Sequence, residues 1–311
     1  MKKSKELHDA ITASLHGLAG GETYECVCRD ISDELPLPST GRLSEVVRLC
    51  REVVFPGFFA ATPIHQSSLG YYQGVCVEEM SHKMRREIYA GLCLARRDAG
   101  LCADAAKARA DSITAQFVRW LPELQRSLVG DVEAIFCGDP AAHSKEEVIM
   151  AYPAVRAISG YRIANKLHRL GVPLIPRIIT EMAHSETGID ISPEASIGRR
   201  FAIDHGTGIV IGATCVIGDD VKLYQGVTLG ALSHPDADQD DMRGKPRHPI
   251  IGNGVVIYAQ ATLLGRIRVG DGAVIGGNVW LTHDVAPGLR VEQWAEGATG
   301  KKNAQSPATV N

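Results

Sequence analysis

The sequence has 311 residues, a formal net charge of −3 and 22% charged residues. This length allows a large hydrophobic core and two domains. Lysine and arginine form no cluster or stripe, so we expect neither nucleic acid nor a membrane surface as a partner. No stretch has the apolar length of a signal-peptide core or a membrane span, and we predict a cytoplasmic protein.

The eight cysteines are scattered along the chain. None belongs to a C-x-x-C pair, the spacing that is typical of zinc and thiol-redox sites. We therefore predict reduced, mostly buried thiols and no bound metal.

Residues 1–186 show the apolar spacing of packed α-helices. In 43–53, and again in 155–170, apolar residues fall largely on one helical stripe. Gly171 and Pro173 then supply a helix stop. We predict a helical domain over residues 1–186.

The spacing of apolar residues changes after this region. They recur every six positions, at Ile191, Ile197, Ile203, Ile209, Cys215, Val221 and Val227, and after an interruption at Ile251, Ile257, Leu263, Val269, Ile275 and Leu281. This period is typical of a parallel β-helix built from hexapeptides, whose stacked turns bury one continuous apolar column. A β-sandwich, with irregularly spaced turns, fits the pattern less well. We predict that residues 187–286 form this second domain.

Two segments lie outside the six-residue pattern. Residues 231–249 are polar and contain proline, so we predict a loop extruded from the β-helix, where functional residues often concentrate. Residues 287–311 are predicted to form a C-terminal tail.

One charged pair interrupts an otherwise apolar stretch. Asp204 and His205 directly follow the repeat position Ile203, near a corner of the predicted β-helix. Asp190 lies fifteen positions before His205, close to one full coil, so we expect the two side chains to stack near each other. A carboxylate that accepts from one imidazole nitrogen leaves the other nitrogen as a base toward a hydroxyl or thiol. Taken alone, an adjacent Asp-His pair is more typical of a surface or capping detail.

Four motifs resemble the serine O-acetyltransferase family. They are GIDISPEASIGRRFAIDHGTGIVIG at 188–212, GDPAA at 138–142, GYRIANKLHRLG at 160–171 and RHP at 247–249. The resemblance spans about 139–285, and the fifty-one positions from Asp139 to Asp190 suit the family. It implies an α+β fold, in which an N-terminal α-helical domain precedes a C-terminal left-handed parallel β-helix of hexapeptide repeats with an extruded loop. The left-handed coil comes from the resemblance alone, because the repeat does not fix handedness.

The resemblance also implies roles for four acidic and basic residues. His205 corresponds to the general base, and Asp190 to the carboxylate that orients it. Asp139 and Asp204 correspond to the carboxylates around the amine and hydroxyl of L-serine. Together they predict a site that deprotonates a serine hydroxyl.

The remaining implied residues bind the serine carboxylate and the co-substrate. Arg247 and His248 correspond to the pair that holds the carboxylate. A zwitterionic amino acid needs a cationic donor at one end and carboxylates at the other, which agrees with these assignments. A solvated loop charge is the plain alternative for Arg247. The residues assigned to acetyl-CoA are Gly230, Ala259 and Gly277.

The resemblance therefore predicts an acetyl-CoA-dependent serine acetyltransferase that performs the first step of cysteine biosynthesis from serine. The deprotonated hydroxyl attacks the thioester directly, without an acyl-enzyme and without a permanently bound cofactor. L-cysteine is a candidate feedback inhibitor. We expect a homotrimer or a dimer of trimers with each active site between neighbouring β-helices, because their faces carry apolar side chains such as Val210, Val216 and Tyr224.

The last residues bear on a further partner. Many relatives end in isoleucine, which inserts into O-acetylserine sulfhydrylase, whereas this chain ends SPATVN. Burial of the Asn311 amide in an apolar pocket would cost about 1 to 3 kcal/mol. We therefore expect no tail-mediated complex with the sulfhydrylase.

Three alternatives stay open at this stage. A hexapeptide acetyltransferase for a sugar or another hydroxyl acceptor would use the same base but would not need Asp139 or Arg247. A γ-type carbonic anhydrase would need three histidine ligands for zinc, for which His205, His234 and His248 are available. A purely structural β-helix would leave the polar residues without a role.

Overall fold

The first part of the chain is helical. The computed structural model describes residues 2–19, 36–60, 63–96, 103–232 and 244–293. Its helices are α1 Lys2–Ala19, α2 Thr40–Val54, α3 Leu69–Arg96, α4 Ala103–Gly138, α5 Lys145–Ala151, α6 Pro153–Arg169 and α7 Ile175–Thr187, with a 3₁₀ turn at Gln66–Ser68. No helix among these described residues is both long and apolar enough to cross a membrane.

Local sequence signals fix several helix ends. The Ser39 hydroxyl accepts from the backbone N–H of Arg42 at the start of α2, and Ser144 caps α5 in the same way. Helix α7 ends at Thr187 and is capped by Gly188, whose φ of 70° is the left-handed conformation that glycine adopts most readily. The chain enters its first strand two residues later.

Short parallel strands follow α7 and build a three-sided β-helix. The strands are β1 Asp190–Ile191, β2 Ser196–Ile197, β3 Ala202–Asp204, β4 Val210–Ile211, β5 Val216–Ile217, β6 Lys222–Tyr224, β7 Thr228–Gly230, β8 Ile250–Ile251, β9 Val256–Ile257, β10 Thr262–Leu264, β11 Arg268–Val269, β12 Val274–Ile275, β13 Trp280–Leu281 and β14 Arg290–Val291. Face A consists of β1, β4, β7, β10 and β13, face B of β2, β5, β8 and β11, and face C of β3, β6, β9, β12 and β14. The chain passes from face A to B to C in each coil, so the A–B corner and the C–A corner recur on every level.

All thirteen apolar positions of the six-residue pattern are buried. The coils are not uniform, however: Ile191 pairs with Ile211, twenty positions on, whereas Ile211 pairs with Leu229, eighteen positions on. The first coil therefore contains two extra residues at the C–A corner after β3. The uniform register predicted from the sequence is wrong there, because the row passes from the strand residue Ile203 to Ile209, which precedes a strand.

The helices rest on the first coil of the β-helix. The Tyr161 hydroxyl on α6 donates to the carbonyl of Ala195 and accepts from the backbone N–H of Ile197, over 2.7 and 3.1 Å. Asp131 on α4 accepts from the backbone N–H of Phe201. These contacts bring the C-terminal end of α4 next to face C.

The predicted domain boundaries stay predictions. Strand β14 at Arg290–Val291 pairs with β12, so the coil continues into the stretch assigned to the tail. Residues 233–243 of the predicted loop, with His234, lie outside the described residues, as do residues 294–311 with Asn311. The prediction about the sulfhydrylase therefore concerns residues that the structure does not describe.

Candidate active site

The two extra residues of the first coil create the corner that carries His205. Strand β3 ends at Asp204, and the chain turns through His205 with φ of 57° and Gly206 with φ of 96°. A Cβ atom on Gly206 would lie 2.6 Å from Ile189 Cδ1 and 2.7 Å from Ile203 Cγ2, so only glycine fits this close approach. The backbone thus turns inward at Gly206 and leaves the His205 side chain 74% exposed on the outside.

The Asp204 carboxylate lies between a histidine and a lysine. Its Oδ1 is 3.7 Å from His205 Nε2, and its Oδ2 is 2.9 Å from Lys222 Nζ. The side chains of Asp204 and Lys222 are only 14% and 15% exposed, respectively. Sequence analysis did not identify Lys222. Lys222 lies on face C and pairs with Ala202, two positions before Asp204.

Asp139 joins this group from the end of α4. Its Oδ2 accepts from the Tyr152 hydroxyl over 2.6 Å and its Oδ1 from the backbone N–H of Ala141 over 2.9 Å. The hydrogen bond from Tyr152 lowers the pKa of Asp139, and the Ala141 N–H and the nearby charges of Lys222 and His205 lower it further. The same bond raises the pKa of Tyr152 to about 12, so Tyr152 stays a donor.

Asp190 begins β1 on face A of the first coil. Its backbone pairs with Val210 of the next coil, twenty positions on. Among the described residues its carboxylate is grouped with Glu181 and His184 of α7, whose potential ligand atoms all lie within 4.8 Å of one another. These three side chains are the residues here that could hold a metal ion. The pairing of Asp190 with His205 as a dyad stays a prediction.

Arg247 and His248 lie at the A–B corner, where the chain enters β8. The Thr214 hydroxyl accepts from the backbone N–H groups of Arg247 and His248, over 2.8 and 3.1 Å. His248 Nδ1 accepts from the backbone N–H of Thr214 over 3.1 Å, so the neutral ring carries its hydrogen on Nε2. Burial, followed by the charges of Arg247 and Arg266, lowers the pKa of His248 and favours this neutral ring.

The residues assigned to acetyl-CoA lie at two corners. Ala259 and Gly277 are at the C–A corner, on higher levels than His205, and the Ala259 carbonyl accepts from the N–H of Asn278 over 2.9 Å. A Cβ on Gly277 would come 3.2 Å from the same carbonyl oxygen. Gly230 instead ends β7 at the A–B corner, where its carbonyl accepts from the N–H of Gly265 over 3.1 Å. Ala259 and Gly277 thus continue the corner of His205 upward.

Comparison with known proteins identifies the family of this chain. The bacterial transferase hexapeptide family (six repeats) matches residues 248–283. A plasmid serine acetyltransferase of Synechococcus elongatus is 45% identical over 269 residues, which cover 85% of this chain and 84% of the relative. The chain belongs to the serine acetyltransferase family.

Two further similarities support membership of the serine acetyltransferase family. The serine acetyltransferase of Helicobacter pylori is 45% identical over 157 residues, which cover 50% of this chain and 87% of the relative. The crystal structure of serine acetyltransferase 1 from Entamoeba histolytica in complex with L-cysteine superposes with a TM-score of 0.70 at 32% identity, over 86% of this chain and 94% of that one. The family resemblance predicted from the sequence is confirmed, and so is the fold class, a helical region followed by a left-handed β-helix.

Proposed function

We propose that the protein transfers the acetyl group of acetyl-CoA to the hydroxyl of L-serine and releases O-acetyl-L-serine and CoA. This reaction is the first step of cysteine biosynthesis from serine. The observation that carries the proposal is the grouping of Asp139 and Asp204 with the exposed His205 at one corner, in a chain of the serine acetyltransferase family.

The chemistry needs one base and no covalent intermediate. His205 takes the proton of the serine hydroxyl while the oxygen attacks the thioester carbonyl of acetyl-CoA. The tetrahedral intermediate collapses, the carbon–sulfur bond breaks, and the imidazolium returns the proton to the CoA sulfur. Cys215 offers no competing nucleophile, because it is buried and burial raises the pKa of its thiol to about 12.

Opposite charges recognise the two ends of serine. Asp139 and Asp204 face the amine and hydroxyl end, and Arg247 with His248 binds the carboxylate. The neutral His248 ring, with its hydrogen on Nε2, is suited to donate to a carboxylate oxygen. Asp190 remains the proposed orienting carboxylate of His205.

We further propose that each serine site is shared between two subunits of a trimer. His205 is at the C–A corner and Arg247 with His248 at the A–B corner, and the six residues of a face extend over as much as about 20 Å. A serine molecule does not span that width, so a second β-helix must supply the other end. Val210 on face A and Val216 on face B, each 39% exposed, are apolar positions for that contact.

The same corners of the β-helix suggest where acetyl-CoA and an inhibitor bind. The C–A corner, with Ala259 and Gly277, is the proposed track for acetyl-CoA, and Gly230 lies across face A from it. The L-cysteine in the Entamoeba histolytica complex has the same amine and carboxylate as serine, so we propose L-cysteine as a competitive inhibitor of this chain. The cytoplasmic location stays a prediction.

An acceptor panel tests the function. We expect CoA release from acetyl-CoA with L-serine, and far slower release with D-serine, L-threonine or sugar acceptors. Sustained release with a sugar and none with L-serine would favour the hexapeptide acetyltransferase of another acceptor. Zinc content together with CO₂ hydration, and no CoA release, would favour the carbonic anhydrase alternative.

A further inference from the structure

Lys222 lies between the two carboxylates proposed to bind serine. Its Nζ is 2.9 Å from Asp204 Oδ2 and donates to the carbonyl oxygen of Gly138 over 2.7 Å. Gly138 is the last residue of α4 and directly precedes Asp139. One ammonium group thus joins the strand that carries Asp204 to the helix end that carries Asp139.

The surroundings of Lys222 hold its ammonium group in place and charged. Nζ lies over the Tyr224 ring, 4.3 Å from its centroid, and at the C-terminal end of α4, where a cation is favoured. Gly138 packs on the aliphatic stem, since a Cβ there would meet Lys222 Cδ at 3.6 Å. Burial opposes the charge, but the bonds to Tyr224 and Asp204 outweigh it and raise the pKa of Lys222.

The two carboxylates differ in the charge of their partners. Asp204 has the ammonium of Lys222 on one oxygen and the ring of His205 near the other. Among the residues that the structure describes, Asp139 accepts hydrogen bonds from two neutral donors, the Tyr152 hydroxyl and the Ala141 N–H. A site with two carboxylates and one fixed ammonium keeps one net negative charge, which matches the single amine of serine.

We propose that Lys222 is a positioning residue for the acceptor: it compensates Asp204 and fixes that carboxylate against His205, so that Asp139 supplies the charge that binds the amine of serine. This inference rests on the proposed function. It assigns different tasks to two carboxylates that the family resemblance alone treats alike.

Kinetics of Lys222→Met and Lys222→Gln test the proposal. Either variant is expected to raise the KM for serine about ten- to hundredfold, the usual effect of losing a charge-assisted bond, and to leave the KM for acetyl-CoA within about twofold. Lys222→Arg is expected to recover part of the loss because it restores the charge. Arg290→Met is the control: it removes a cation from face C far from Asp204, and its KM for serine is expected to equal that of the wild type.

A double-mutant cycle with Asp204→Asn separates a role of Lys222 through Asp204 from a general structural role. If Lys222 acts through Asp204, Lys222→Met adds at most about twofold to the serine KM of Asp204→Asn. Multiplicative effects, an unchanged serine KM, or equal changes for both substrates would overturn the proposal. If the wild-type enzyme releases CoA with L-serine and the Lys222 variants have the same serine KM, the role of Lys222 alone is refuted. If the wild-type enzyme releases no CoA with L-serine, the proposed function and this role are refuted together.

Discussion

Arg162 on α6 and Asp131 on α4 form a two-bond ion pair beside the first coil of the β-helix. The guanidinium donates to both carboxylate oxygens, over 2.5 and 2.7 Å, and the Asp131 side chain is only 2% exposed. Asp131 also accepts from the N–H of Phe201, while Arg162 donates to the carbonyl of Gly198. The pair holds α4, and through it Asp139, against the strand that ends at Asp204.

Removal of one partner of this pair is expected to be costly. Asp131→Ala leaves the Arg162 charge buried without a carboxylate and should lower the free energy of unfolding by about 3 to 5 kcal/mol. The double variant Asp131→Leu/Arg162→Met removes the stranded charge and should recover much of that loss. Urea unfolding at one fixed protein concentration measures both, and an equal loss in the double variant would contradict the explanation.

Loss of the base should act on turnover. His205→Ala is expected to lower kcat by about two to four orders of magnitude while acetyl-CoA binding stays unchanged, because the ring is exposed and holds no core contact. Asp190→Asn should give a smaller loss in kcat. Steady-state kinetics with calorimetric binding of CoA checks both, and near-normal turnover in both variants would rule out the dyad.

Thr214 should act on serine through Arg247 and His248. Thr214→Val removes the hydroxyl that accepts from both backbone N–H groups and should raise the serine KM about tenfold. Arg247→Ala sets the upper limit, about ten- to hundredfold, and Thr214→Ser keeps the hydroxyl and should behave like the wild type. Equal increases in the KM of both substrates would instead indicate general disorder of the corner.

His248 should make stability depend on pH. Its folded pKa is lowered, so the unfolded chain binds this proton at about pH 6.5 and the folded chain only at lower pH. Stability from the neutral ring is therefore complete above that range and declines as the pH falls below about 6.5. Between about pH 7.5 and 5.5, wild type should lose more unfolding free energy than His248→Gln. Equal losses would contradict this assignment.

The fold could be predicted from the sequence because the residues that repeat every six positions are the ones that the β-helix buries. All thirteen apolar residues at six-residue spacing are buried, and the helical region ends where the spacing changes. The two extra residues near Gly206 were not recognised, because Ile209 is itself buried and keeps the six-residue count intact. The resulting register pairs Asp190 with Val210, and the contact between Asp190 and His205 stays a prediction.

The site was only partly predictable. The sequence singled out Asp139, Asp204 and His205, and the structure brings them together. It did not indicate Tyr152 or Lys222, because their importance depends on contacts between α4, the segment before α6 and face C, which no local pattern encodes.

The most direct test of the shared serine site is complementation between subunits. His205→Ala and Arg247→Ala chains are assembled together and assayed at a serine concentration far below the KM of Arg247→Ala. If one site takes His205 from one β-helix and Arg247 from its neighbour, random trimers should regain about a quarter of wild-type activity. A matched assembly of His205→Ala with His205→Ala/Arg247→Ala should stay inactive. Mixed assemblies no more active than the average of their parents would contradict a site shared between subunits.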